Sequence, residues 1–287
     1  MPIVRFEHVS QTFEMRRTGL TVQALSDVTF DVEEKEFCAI VGPSGCGKST
    51  LLSLLAGLKP PSSGNIYFRS NQVEGINTAV GYVTQDSRLL PWMSVIDNIR
   101  LPLDIRHVPR KERDARVEEW ISLVGLEGFE SVYPSQLSGG MQKRCSIART
   151  LVYDPEVVLM DEPFAAVDAI TRTVLQQILL DLWSNYQKTV IFVTHDLNEA
   201  LTLADRVVVM TRRPGRIKAE LAVPISRPRD VFHVAELPEF AKIHRELWEI
   251  FRSEIGDEKP DSTRFQPKDV EFENVNSRAK SRESNRR

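Results

Sequence analysis

A chain of 287 residues, 41% hydrophobic and 27% charged, can bury one large α/β core or two modest ones and has the balance of a soluble globular protein. A formal net charge of −3 gives no general reason to expect a nucleic-acid partner, and Cys38, Cys46 and Cys145 are too few and scattered for a disulfide framework or zinc site. No run approaches the ~20 uncharged apolar residues that cross a bilayer, and Met1–Glu7 lacks the basic-then-apolar pattern of a signal peptide, so residence in the cytosol is expected, with membrane contact made through a partner.

Ile3 to Phe6 reads as a first strand, the alternation Val28-Thr29-Phe30-Asp31-Val32 as a second, and the polar segment from Arg16 to Gly19 as a turn between them. Phe37 to Val41 is a short apolar run that ends in glycines, as a buried strand feeding a loop does. Ser49 to Gly57 carries leucines at helical spacing and stops at a glycine. Val80 to Val83 is a further strand, followed by Gln85-Asp86-Ser87-Arg88-Leu89-Leu90-Pro91-Trp92. Residues 110–124 predict an amphipathic helix with a charged outer face, and Ile147 to Val152 lies in another. The apolar run Val157 to Met160, a helix over about 170–185, and strands at Val190 to Val193 and Val207 to Met210 complete the pattern. Buried β-branched runs alternating with helices imply a mostly parallel sheet with helices on both faces. Beyond about residue 220, residues 238–255 offer one amphipathic helix with Phe240, Ile243, Leu247, Ile250 and Phe251 on a face. Residues 256–287 hold few apolar groups and many charges of both signs, and are expected to be a disordered tail.

Gly42-Pro43-Ser44-Gly45-Cys46-Gly47-Lys48-Ser49-Thr50 is a full G-x-x-x-x-G-K-S/T loop between a buried strand and a helix. Its glycines let successive N–H groups turn onto phosphate oxygens, and the helix that follows points its positive end at the anion. Lys48 neutralises β/γ-phosphate charge and the Ser49 hydroxyl can ligate Mg²⁺. Val157-Val158-Leu159-Met160-Asp161-Glu162-Pro163 adds two carboxylates at the C-terminal end of a strand, where α/β sheets bind ligands. Asp161 is expected to hold Mg²⁺ through water. Glu162, on the opposite side of the strand axis, is expected to polarise an attacking water as general base.

Leu137-Ser138-Gly139-Gly140-Met141-Gln142 opens another helix with a hydroxyl and two glycines, a second anion-binding N-terminus with Ser138 as its cap. One nucleotide does not need two such cradles, so the second makes sense if it serves a nucleotide on another subunit. Leu-Ser-Gly-Gly-x-Gln ahead of an Asp-Glu strand looks like the signature motif of ABC-type ATPases. Under that resemblance Gln85 is similar to the glutamine that contacts Mg²⁺ or the water, and His195 in Val193-Thr194-His195-Asp196 to the switch histidine that meets the γ-phosphate. Ala165-Ala166-Val167-Asp168 is similar to the D-loop, keeping Asp168 while departing at the residues before it. Phe13 stands where the family places an aromatic ring under adenine, although a lone aromatic near a strand is more often core.

The resemblance implies an α/β P-loop NTPase fold with a mostly parallel core sheet, an N-terminal antiparallel β subdomain and a helical subdomain over about 86–150 that carries the signature motif. The cassette is expected over 1–220 and a helical extension over 221–255. It implies ATP and Mg²⁺ as cofactors and head-to-tail pairs with two sandwiched ATP molecules. Each ATP then meets Gly42–Thr50 of one copy and Ser138, Gly139 and Gly140 of the other. A single cassette with no membrane span resembles an importer's separate ATPase subunit, which works with transmembrane permease subunits and a separate solute-binding protein at the cytoplasmic face of the membrane. Leu-Leu-Pro-Trp, Asp161 to Ala169 and Arg212-Arg213-Pro214-Gly215-Arg216-Ile217 look most like the nitrate/sulfonate/taurine importer group. Leu89, Leu90, Pro91, Trp92 and Met93 form either a buried loop or the surface that receives the permease. The competing readings are a soluble ABC ATPase of DNA maintenance or translation, an ABC subunit for another solute, and an ordinary P-loop GTPase or kinase. The chromosome type needs a long coiled coil between Lys48 and Ser138, for which there is no room. The translation type usually joins two cassettes, and the GTPase or kinase lacks Leu-Ser-Gly-Gly.

Overall fold

Two sheets of different character share the chain in the computed structural model, which describes residues 2–14, 19–165 and 167–255. The first is antiparallel, in the order β2-β1-β4-β5, from β1 (Val4–Glu14), β2 (Thr21–Val32), β4 (Ser63–Phe68) and β5 (Asn71–Gln72). The second has the order β10-β9-β3-β8-β7-β6, from β3 (Phe37–Val41), β6 (Val80–Val83), β7 (Val157–Asp161), β8 (Thr189–Thr194), β9 (Arg206–Met210) and β10 (Ile217–Ala222). All its neighbours are parallel except β9 and β10.

The period of two in the buried strands divides the core. Phe37, Ala39, Val41, Val158, Met160, Val190, Phe192, Val207 and Val209 face one apolar cluster. There they meet α2 (Val95–Ile105), α3 (Arg110–Leu123), α4 (Gly139–Leu151), α5 (Ala169–Tyr186), α6 (Leu197–Leu203) and α7 (Pro238–Ile255). Their alternates, Cys38, Ile40, Val157, Leu159, Ile191, Val193, Val208 and Met210, join a second cluster with α1 (Lys48–Leu55) and the inner face of the antiparallel sheet. Phe240, Ile243, Leu247 and Phe251 of α7 are buried in the first cluster. The C-terminal helix is thus packed onto the same core that carries the parallel sheet.

The parallel strands and α1, α3, α4, α5 and α7 lie where the pattern predicts, within a few residues at their ends. The first two strands run much further than their apolar alternation, because bulges at Phe6/Val9, Val9/Gln11 and Gln11/Thr12 break the period without ending the ladder. The helix α2 carries Pro102 in its interior, which hides it from a periodicity reading. Strands β4, β5 and β10 and the short helix α6 also escape it, since β4 and β10 alternate weakly and β5 has two residues. Of the turn expected from Arg16 to Gly19, Arg16, Arg17 and Thr18 lie outside the described residues, as does the tail from Gly256 onward. No described helix is long and apolar enough to cross a membrane.

Candidate active site

Strand β3 is buried along its whole length and releases the Gly42–Gly47 loop at its C-terminal end, where α1 begins at Lys48. Lys48 is 5% exposed and its Nζ donates to the carbonyls of Gly42 (2.8 Å) and Pro43 (3.2 Å). A buried ammonium needs such partners, and a phosphate offers stronger ones. Burial raises the Cys46 thiol above its ordinary pKa, so it is a packing residue of the loop and a poor nucleophile. In front of the loop lies a cavity of about 270 Å³. Phe13, Val22 and Ala24 line it from the antiparallel sheet, Ser44, Gly45, Gly47, Lys48, Ser49 and Thr50 from the loop, and Glu162 and Arg213 from elsewhere. One wall is therefore apolar and aromatic and the other is the glycine-rich loop with Lys48. The Phe13 ring is half-buried opposite Val22, with the Lys59 ammonium 5.0 Å from its centroid.

The two carboxylates at the end of β7 diverge. Asp161 accepts from Ser49 Oγ (2.8 Å) on one oxygen and from the Tyr82 hydroxyl (3.3 Å) on the other. Burial pushes the Asp161 carboxyl above its ordinary pKa, opposed by those two hydrogen bonds. The same burial, with the Asp161 charge, raises the Tyr82 phenol to about 12. Glu162 sits at φ 43°, a left-handed conformation that costs a non-glycine residue ~1 kcal/mol or more. Its N–H is held by the Val193 carbonyl at 2.9 Å. That bend turns its carboxylate away from Asp161, with one oxygen 3.0 Å from His195 Nδ1 and the other 3.9 Å from Lys48 Nζ. A carboxylate, an imidazole and an ammonium from three elements thus converge beside the loop.

The sequence profile of the family described as "ABC transporter" matches residues 25–165. An uncharacterized ABC transporter ATP-binding protein of Methanocaldococcus jannaschii is 45% identical over 88% of this chain and 92% of its own. The taurine import ATP-binding protein TauB of Rhizobium johnstonii is 42% identical over 88% and 97%. The aliphatic sulfonates import ATP-binding protein SsuB of Bacillus thuringiensis subsp. konkukian is 42% identical over 79% and 88%. A solved dimeric ATP-binding cassette in a post-hydrolysis state with ADP and phosphate superposes with TM-score 0.69 at 31% identity, covering 78% of this chain and all of that one. The chain belongs to the ABC transporter family of ATP-binding proteins.

As an ABC ATPase it has further motif residues to place. Gln85 is exposed just beyond β6 and does not line the cavity; its carbonyl and that of Thr84 each accept from Lys143 Nζ at 2.9 Å. Arg149 donates to the carbonyls of Ser87 (3.1 Å) and Arg88 (2.9 Å). Two cations of the signature helix α4 therefore hold the segment after Gln85, and neither was singled out by sequence. Lys143 is 3% exposed, and burial lowers its ammonium to about 8.

Ser138 caps α4 by accepting from the Met141 N–H at 3.3 Å, as its position predicts. Gly139 has open space where a side chain would stand, whereas a Cβ on Gly140 would lie 2.5 Å from Thr171 of α5. Asp168 caps α5 through the Thr171 N–H at 3.0 Å; Ala166, two residues before it, lies outside the described residues. None of Ser138, Gly139, Gly140 and Asp168 lines the cavity of their own chain. Behind His195, Thr194 donates to the buried Glu199 (2.6 Å), and Arg172 lies 3.8 Å from both Glu199 and Asp196 while donating to the Val167 carbonyl (3.2 Å). The strand-end histidine and the D-loop share this network. Tyr82, Lys143, Arg149 and Arg172 are neighbours of the motif residues that spacing missed, because they meet them through tertiary contacts, and Arg213, marked in the sequence only within a stretch of resemblance, is placed on the cavity.

Proposed function

We propose that this chain is the ATPase subunit of an importer for taurine, an aliphatic sulfonate, nitrate or a similar small solute. It works on the cytoplasmic face of the membrane through permease subunits and in concert with a solute-binding protein. The observation that carries the hydrolytic reading is the convergence of Glu162, His195 and Lys48 beside the phosphate loop. The solute class rests on the likeness to TauB and SsuB across most of the chain.

In this reading the phosphates lie on the N–H groups of Gly42–Thr50, and Lys48 leaves its own loop carbonyls for the β/γ-oxygens. Phe13 offers a π-face to adenine. Ser49 Oγ and Asp161 Oδ1, 2.8 Å apart, form a small hard-oxygen donor set that would hold Mg²⁺, with Gln85, just after the strand that carries Tyr82, joining on closure. Bound there, Mg²⁺ neutralises charge that develops on the phosphates. Glu162 takes a proton from the water that attacks the γ-phosphorus as the bond to the bridging oxygen breaks, yielding ADP and phosphate. His195, joined to Glu162, orients that carboxylate and meets the γ-phosphate. Ser138, Gly139, Gly140 and Asp168 act on the nucleotide of a second, head-to-tail copy, so the γ-phosphate bridges two helix N-termini and its loss opens the pair.

Pro91 and Trp92 are exposed, Trp92 at 70%, while Leu89 packs on the core. An exposed tryptophan on the segment clamped by α4 fits a permease contact that moves with the nucleotide site. Purification of the tagged chain from its host's membranes is expected to recover a polytopic membrane protein, and Trp92→Glu to lose it. Recovery of soluble partners alone, with both forms, would overturn the importer reading.

A further inference from the structure

Arg213, marked in the sequence only within a stretch of group resemblance and given no role there, lines the nucleotide cavity with Phe13, Ser44, Gly45, Lys48 and Glu162. It comes from the turn between β9 and β10, and its Nε donates to the Gly45 carbonyl at 3.2 Å. That is its guanidinium's one hydrogen bond among the described residues, although such a group carries five N–H donors. Among the described residues it is, apart from Lys48, the cation in the cavity lining. Lys48 is buried and bound to its own loop, whereas Arg213 is exposed at the mouth.

The turn is fastened from two sides. Gly215 exchanges backbone hydrogen bonds with β2, donating to Ala24 and accepting from Ser26, each at 2.9 Å. It packs so close to the phosphate loop that a Cβ there would lie 2.0 Å from the Cys46 carbonyl. On the other side Glu254, in the last turn of α7, accepts from the Arg212 N–H at 2.9 Å and pairs with Lys218 of β10. The loop that carries Arg213 is thus clamped between the phosphate loop and the C-terminal helix.

We infer that Arg213 is a nucleotide contact, a second cation for the part of the polyphosphate that ATP and ADP share, and that Glu254 of α7 positions it. The inference rests on the ATP-binding reading above. Arg213 meets Gly45, whereas Glu162 meets Lys48 and His195, so the arginine addresses the loop away from the hydrolytic carboxylate. A guanidinium so placed strengthens ground state and transition state alike, which lowers KM without raising kcat. It also makes the C-terminal helix a support of the ATP site, through one carboxylate.

The test is titration of ATP and of ADP, with steady-state turnover, on wild type, Arg213→Gln, Arg213→Lys, Glu254→Gln and the Arg213→Gln/Glu254→Gln double variant. Arg213→Gln is expected to weaken ATP and ADP equally, about tenfold, and raise KM to match, with kcat at saturation within about threefold. Arg213→Lys is expected to recover part of that loss, since charge returns without the fork. Glu254→Gln is expected to raise KM about threefold, and the double variant to be no worse than Arg213→Gln alone, because one effect passes through the other. Equal nucleotide affinity in wild type and Arg213→Gln, or a fall in kcat at unchanged affinity, would overturn the contact. Additive losses would overturn the role of Glu254. Absence of ATP binding by wild type itself would instead sink the ATPase reading, which keeps the two failures apart.

Discussion

Lys48 illustrates how much of this site is decided by single atoms. Its ammonium is buried against two carbonyls of its own loop, so an incoming phosphate exchanges neutral acceptors for charged ones at little conformational cost. Lys48→Ala is expected to lower ATP affinity at least tenfold by calorimetry; unchanged affinity would refute its role. Lys143 makes a pH-dependent prediction. Its ammonium is lowered to about 8 by burial, while an unfolded lysine titrates near ~10.4. Between those values the unfolded chain binds more protons, so this group adds stability as pH rises from about 8 to ~10.4. Denaturant midpoints of wild type relative to Lys143→Met should therefore climb across that window, and a flat difference would contradict the assignment. At this scale the loop, Asp161, Glu162, His195 and Ser138 were legible because each sits at a fixed offset within a motif. Tyr82, Lys143 and Arg213 were not, because the contacts that give them meaning join residues far apart in the chain.

Among the elements, α2 shows what sequence periodicity leaves unread. Pro102 breaks the expected pattern, yet the helix holds because Ser94 caps it and Val95, Ile99 and Leu103 are wholly buried. Asn98, also wholly buried, donates to the carbonyls of Leu90, Met93 and Ser94 and accepts from the Leu90 N–H. One amide thus shapes the segment that presents Trp92. Asn98→Ala leaves those backbone groups unpaired and is expected to cost about 2–4 kcal/mol in chemical denaturation. A loss below ~0.5 kcal/mol would show that the segment is shaped by something else. The parallel strands were legible because they are continuous apolar runs buried on both faces. The bulged β1 and β2 were only half-legible, because His8 and Asp27 at positive φ break the alternation that marks a strand.

For the whole molecule, the proposed cycle gives one chain two half-sites. The cavity gathers the phosphate loop, Phe13 and Glu162, while Ser138, Gly139 and Asp168 face outward and Gly139 has open space beside it. Two anion-binding helix starts in one sequence are what suggest that division, and a dimeric cassette is among the solved structures this chain resembles. The solute was not legible, because nothing in the cassette touches it in this scheme. In the proposed cycle ATP joins two copies and Glu162 releases them by hydrolysis. The most direct test is light scattering on Glu162→Gln at saturating ATP and Mg²⁺, with turnover measured on the same sample. A stable dimer with turnover reduced at least about a hundredfold is expected. A monomer with ATP bound, or a rate like that of wild type, would contradict it.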